Sequence, residues 1–204
     1  MSRIRPLNDD EVGDLKDLFE PAVARLGFVP NSNRVMAHKP ELLRAFSELG
    51  KAVNNQTDGS IPASLKYMIA NASSLAAGCM YCVAHTGGGT SRNGVDDAKI
   101  AAIWEFETSD LFSEAERSAL RFAQAASAVP NMATDADFAD LRKHFTDYQI
   151  VEIVGVIAMF GFLNRWNDTM ATALEEEPIA FGERALKDKG WSVGKHVPPA
   201  EAAE

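Results

Sequence analysis

The chain has little cysteine. Two in 204 residues are too few for a small secreted scaffold stapled by several disulfides. Basic residues are also short. Twenty Lys and Arg face 29 Asp and Glu, giving a net charge of −9 and a pI of about 5.0. Nucleic acid and anionic membrane both select cationic surfaces, so neither is an expected partner. Long apolar runs are missing. The longest, Ile153 to Leu163, is about half the ~20 residues that a membrane span needs. The opening residues, Met-Ser-Arg-Ile-Arg-Pro-Leu-Asn-Asp-Asp, lack the apolar stretch of a secretory signal, and a cytoplasmic location with no membrane contact is expected. No segment alternates convincingly as a strand would. Hydrophobic residues make up 46%, and a chain of this length can bury a real core.

What is present reads as helix after helix. Asn8 or Asp9 can cap a helix over 10–26, with Val12, Leu15, Leu18, Phe19 and Val23 at helical spacing. Gly27-Phe28-Val29-Pro30-Asn31 stops it. A second helix starts near Ser32, and Pro40 opens a third carrying Leu42, Leu43, Phe46, Leu49 and Val53. After a polar loop over 54–60, Pro62 starts a long alanine-rich helix running toward both cysteines. Gly87-Gly88-Gly89 is expected to break or loosen the chain just beyond them. Further helices are expected over 95–102, 113–128 and 135–144. A nearly all-apolar helix, capped by Thr146 or Asp147, runs from Ile150 through Asn164 and reads as central. This gives an all-α domain over 1–177, followed by a mixed C-terminal arm, 178–204, frayed or ordered on a neighbour.

Both cysteines lie in Gly78-Cys79-Met80-Tyr81-Cys82-Val83-Ala84-His85. On a helix, Cys79, Cys82 and His85 share one face. The two thiols can close a disulfide and share one imidazole. Two quieter readings stand beside this: a pair of buried cysteines acting as small hydrophobes, or part of a zinc site. Zinc normally takes four ligands, and no second Cys or Cys/His pair accompanies these three residues; no metal is expected. A redox dithiol fits a reducing compartment better, because one thiolate can attack and the other resolve. His85 lies one turn after Cys82, so Cys82 is expected to be the more reactive thiol. His38 and His144 read as surface or interface residues, Tyr81 and Trp166 as packing, Asn164 and Arg165 as structural or intersubunit contacts ahead of a charged lining of the cysteine pocket, and Glu175-Glu176-Glu177 as solvated.

At these residues the chain resembles the carboxymuconolactone decarboxylase-like superfamily, on its alkylhydroperoxidase D side. The resemblance runs from about Gly27 to Asp168. Gly78 to Thr86 carries its most specific signature, with Gly27-Phe28-Val29-Pro30-Asn31, Ala37-His38-Lys39-Pro40-Glu41-Leu42-Leu43, Ser113 to Ala123 and Asn164-Arg165 beside it. It implies an all-helical fold that assembles as a homotrimer or hexamer. It also implies a peroxidase in which Cys82 attacks a hydroperoxide, Cys79 resolves it and His85 assists. A thioredoxin-like or lipoyl-bearing dithiol protein would then restore the pair, with no cofactor needed. Two positions depart from the pattern. Tyr67 stands where peroxidase-type relatives carry a relay glutamate, and an unperturbed phenol is a poor base at neutral pH. The histidine falls three residues after the second cysteine, with Thr86 at four. The competing readings are a lactone decarboxylase-type lyase using His85 and Tyr67, and a binding protein on the same fold.

Overall fold

The computed structural model describes residues 2–199, and among them there is no strand. Two turns of 3-10 helix, Gly13–Leu18, lead into α1 (Glu20–Leu26), α2 (Asn31–Met36) and α3 (Pro40–Asn54). The first expected helix is therefore divided: Pro21 occupies the first turn of α1, where its missing N–H costs nothing. Next come α4 (Ala63–Ala77), α5 (Met80–Arg92), α6 (Asp97–Ala101), α7 (Glu114–Ser127), α8 (Asp135–Leu141), α9 (Asp147–Met170) and α10 (Glu176–Phe181). Helices α7, α8 and α9 each start with a capping box, formed by Ser113/Glu116, Thr134/Asp137 and Thr146/Gln149.

Helix α4 is the hub, packing against α5, α7 and α9. Met68, Ile69, Ile100, Ile103, Leu120, Leu141 and Ile153 are fully buried around it. A smaller core of Val12, Leu15, Phe19, Met36 and Leu43 seats the N-terminal segment. Lys66 is buried on α4 and would be costly alone. Its Nζ donates to Glu152 Oε1 at 2.8 Å and to the carbonyls of Val53 and Asn55, which bolts α4 to α9 and to the end of α3.

Two local expectations change. The cysteines do not end the alanine-rich helix; they begin the next one. Gly78 takes a left-handed φ of 71°, the N–H of Cys79 returns to the Ser74 carbonyl and that of Gly78 to the Leu75 carbonyl. This double bond pattern closes α4 and turns the chain. The three glycines do not break α5 either. A Cβ on Gly89 would lie 2.3 Å from the Tyr67 ring, and one on Gly87 2.4 Å from the Phe181 ring. The missing side chains admit two aromatic rings against the helix backbone. Beyond Pro178 the chain stays on its own body: Phe181, Leu186 and Trp191 join the main core, and Trp191 Nε1 donates to the Met80 carbonyl at 3.0 Å.

Candidate active site

Cys79 caps the N-terminus of α5 and Cys82 sits one turn in. Both are free and buried. Asn71 on α4 clamps α5 just below them, donating from Nδ2 to the Val83 carbonyl at 3.0 Å and to Thr86 Oγ1 at 2.9 Å. Thr86 Oγ1 in turn donates to the Cys82 carbonyl at 2.6 Å. Asn167, from α9, places its Nδ2 3.5 Å from Cys82 Sγ.

Cys82, His85, Tyr67, Tyr81 and Asn167 line one cavity of about 110 Å³. Leu26, Phe46, Met159, Phe160 and Leu163 supply its apolar wall. Cys79 does not line it. The structure thus brings His85 and Cys82 to one cavity and sets Cys79 behind them.

His85 is not alone. Its Nε2 lies 2.7 Å from Glu175 Oε2, and both side chains are nearly buried. Tyr81 Oη donates to Glu175 Oε1 at 2.9 Å, and the Asn31 backbone N–H donates to the same oxygen. The Tyr81 ring stacks on His85 with centroids 4.3 Å apart, and Phe28 approaches from another side. Burial pushes the Glu175 carboxyl up. The charge and hydrogen bond of His85 and the Asn31 N–H outweigh it, so the carboxyl sits below its ordinary value. Burial and the Glu175 charge push the Tyr81 phenol well up, keeping it protonated. Glu175, read from sequence as solvated, is an interior residue. Its exposed neighbours Glu176 and Glu177 share its residue type, and no local sequence signal separates it from them.

Within the thiol pair, a hydrogen bond from Cys82 lowers the Cys79 pKa, and the N–H groups of Cys82 and Tyr81 at the helix start act the same way. No hydrogen bond of full capping geometry closes there. Burial first, then the neighbouring Cys79, pushes the Cys82 thiol well up. The pull of Cys82 on Cys79 and the burial of Cys82 act in opposite directions on the two thiols of the resting pair. The Cys82 hydrogen bond is the main cause at Cys79, burial opposes it, and the helix terminus adds a smaller pull in the same direction as Cys82. Of the remaining sequence candidates, His38 and His144 are exposed. Asn164 is buried and reaches the Ser73 carbonyl at 3.4 Å, a tie between α9 and α4.

The carboxymuconolactone decarboxylase family model matches residues 40–125, the segment from α3 through α7 that holds both thiols. The debrominase Bmp8 is 38% identical, with a TM-score of 0.81 over 89% of this chain and 97% of that one. The chain belongs to the carboxymuconolactone decarboxylase-like, alkylhydroperoxidase D-like superfamily. A second structure of the debrominase, a cysteine-to-alanine variant in complex with 2,3,4-tribromopyrrole, is 37% identical with a TM-score of 0.82, covering 89% of this chain and 96% of that one. The alkylhydroperoxidase D core of a peroxidase-related protein from Ralstonia eutropha JMP134 is 25% identical, TM-score 0.74, over 96% and 98%. The protein YnjA of Escherichia coli K12 is 32% identical over 92 residues, and the match spans half of that relative's length. Superfamily membership covers a decarboxylase, a debrominase and peroxidase-related proteins, so the reaction must be argued from the site.

Proposed function

We propose that this chain is a dithiol reductase of small electrophilic molecules, with a carbon-bound bromine on a small aromatic ring as its first target. One observation carries the reading: Cys82 opens onto a small, mostly apolar cavity beside the His85–Glu175 pair, with a second thiol directly behind it. A cavity of about 110 Å³ restricts the substrate to a few heavy atoms. The likeness to a debrominase over nearly the whole of both chains supports the choice of halogen.

The chemistry balances with the residues present. The Cys82 sulfur attacks bromine, the ring carbon takes a proton from His85, and Cys82 becomes a sulfenyl bromide. Cys79 then attacks the Cys82 sulfur, bromide leaves, and a Cys79–Cys82 disulfide remains. In sum, one aryl bromide and two thiols give the hydrogen-substituted ring, one disulfide, bromide and a proton. An external dithiol, small or thioredoxin-like or lipoyl-bearing, reduces the disulfide. Glu175 holds the imidazole in place, as the third member of such constellations does.

A second reading, reduction of an organic hydroperoxide, uses the same two thiols. Cys82 takes the outer oxygen as a sulfenic acid while the O–O bond breaks and the alcohol leaves with a proton, and Cys79 then expels that oxygen as water. The His85–Glu175 pair favours it, because it restores a carboxylate-linked acid where Tyr67 replaces the relay glutamate. The test offers the protein 2,3,4-tribromopyrrole or cumene hydroperoxide, with dithiothreitol as reductant, and follows bromide release and peroxide loss. Before reductant is added, bromide should appear in step with disulfide formation; with dithiothreitol present, release should vanish in Cys82→Ser and slow in Cys79→Ser, where only the added dithiol can displace bromide from Cys82. Peroxide consumption at least tenfold faster than bromide release would install the second reading. Lactone decarboxylation surviving in the double serine variant would overturn both, and an inert but folded protein would point to a binding role.

A further inference from the structure

We propose that His196 is the base that ionises the resolving thiol, Cys79, in a Cys79–His196–Asp168 arrangement on the face of the dithiol opposite the substrate cavity. The proposal rests on the dithiol reading above.

Cys79 is fully buried and lies outside the cavity that Cys82 opens onto. Its proton therefore has no direct route to water through the substrate side. In the resting pair Cys79 accepts a hydrogen bond from Cys82. When Cys82 attacks, that proton passes to Cys79, and Cys79 must lose it again before it can attack in turn. An acceptor is needed on its far side.

His196 supplies one. It belongs to the short 3-10 turn Gly194–His196, and its side chain is 2% exposed. Its Nδ1 lies 2.8 Å from the Thr172 carbonyl oxygen. A carbonyl only accepts, so Nδ1 carries the hydrogen and Nε2 holds the lone pair. That Nε2 is buried with no hydrogen-bond partner among the described residues. The Cys79 sulfur, an Asp168 carboxylate oxygen and a His196 ring nitrogen all lie within 4.8 Å of one another. An orphan buried acceptor is rare, and here the ring that carries it has a nitrogen within 4.8 Å of a buried thiol that has a proton to lose. The Leu174 N–H donates to the His196 carbonyl at 2.9 Å, which pins the turn in place.

The charged and titratable groups around the imidazole are few. Asp168 Oδ1 lies 3.9 Å from Nε2 and also pairs with Lys195 Nζ at 2.7 Å. The Tyr81 ring is tilted against it at 5.7 Å. Burial lowers the His196 pKa, and Asp168 opposes that drop. The ring is thus neutral at rest and can hold a proton transiently beside a carboxylate. Proton balance is complete: Cys79 S–H gives its proton to Nε2, the thiolate attacks the Cys82 sulfur, and the group leaving Cys82 carries off the electron pair and is protonated from solvent or from His196.

The test bypasses the natural substrate. Methyl methanethiosulfonate converts Cys82 to a methyl disulfide, releasing methanesulfinate. Cys79 then displaces methanethiolate and closes the disulfide. Quenched samples read by mass spectrometry separate the two steps across a pH series. His196→Gln, checked for fold by circular dichroism, should slow the second step at least tenfold near neutral pH and change the first less than threefold. The deficit should shrink as pH rises, because hydroxide replaces the base. Asp168→Asn, at a half-exposed position, should slow the second step by a smaller factor. Equal resolution rates in wild type and His196→Gln overturn the role of His196 while leaving the dithiol reading intact. Failure of wild type to close any disulfide after forming the adduct overturns that reading itself. A zinc ion retained by wild type and lost in His196→Gln also overturns the proposal, since Nε2 would then be a ligand.

Discussion

Glu175 organises the substrate side of the site with one carboxylate. It accepts from His85, Tyr81 and the Asn31 backbone at once, joining α2 and α5 to the segment before α10. Glu175→Gln leaves the shape but removes the charge. The neutral amide is expected to cost about 1.5–3 kcal/mol, the usual range for a hydrogen bond to a charged group. The pH dependence follows from the direction of the shift. The carboxyl is held below its ordinary value in the folded chain, so the unfolded chain takes up its proton first on acidification. The stabilisation is complete above the unfolded value, about 4.3, and is lost as pH falls through the folded one. Urea denaturation of wild type and Glu175→Gln between about pH 7 and about pH 3 should show their difference narrowing toward acid. A difference independent of pH would mean that Glu175 acts by shape alone. The sequence made Cys79, Cys82 and His85 legible because they share one short motif. It hid Glu175, Asn167, Asp168 and His196, which are at least 82 residues from that motif's end and reach it only through the packing of α9 and the C-terminal turns.

Helix α5 owes its position to what its glycines lack. Three consecutive glycines weaken a helix by roughly 1 kcal/mol each relative to alanine, and two of them return something in packing. Adding a methyl at Gly89 or Gly87 meets the Tyr67 or Phe181 ring inside van der Waals distance, while at Gly88 the nearest atoms, on Arg92 and Glu177, are 3.5 Å away. The three alanine variants are therefore expected to differ in sign. Gly88→Ala should stabilise by about 0.5–1 kcal/mol through helix propensity. Gly87→Ala and Gly89→Ala should destabilise by about 1–3 kcal/mol through overpacking. Midpoints of urea denaturation decide it, and equal shifts in all three would refute the packing account. The same residues show where pattern reading stops. Periodicity located α3, α4, α7 and α9 well, because their apolar faces or caps are encoded locally. A glycine run reads as a break when the rings that fill it lie far away in sequence. Here Tyr67 and Phe181 approach from opposite directions along the chain.

At the scale of the whole molecule, α9 has more apolar surface than its own chain covers. It is long and apolar enough to cross a membrane by length and composition, and 39% of its most apolar window is buried. It packs on α3, α4, α5 and α7, as a core helix does. Yet Val151, Val154 and Phe162 stay exposed, at 70%, 41% and 37%. Val154 and Phe162 border a broad groove of about 1510 Å³ shared with Phe122, Ala126 and Phe138, and this groove holds neither thiol. Exposed apolar side chains gathered along such a groove favour an interaction surface. We propose that further copies of this chain cover it, in the trimer or hexamer that the family resemblance implies. A charge at the centre of such a face would be buried without a partner, at a cost of several kcal/mol per copy. Val154→Glu is therefore expected to convert the assembly to monomers at micromolar concentration, read by light scattering, with the helical circular dichroism unchanged. The cavity beside Cys82 lies on the other side of α9, lined by Met159, Leu163 and Asn167. Thiol reactivity toward a small reagent should accordingly persist in the monomer. If wild type is itself monomeric under these conditions, α9 faces solvent or a different protein, and self-association has no part in this fold.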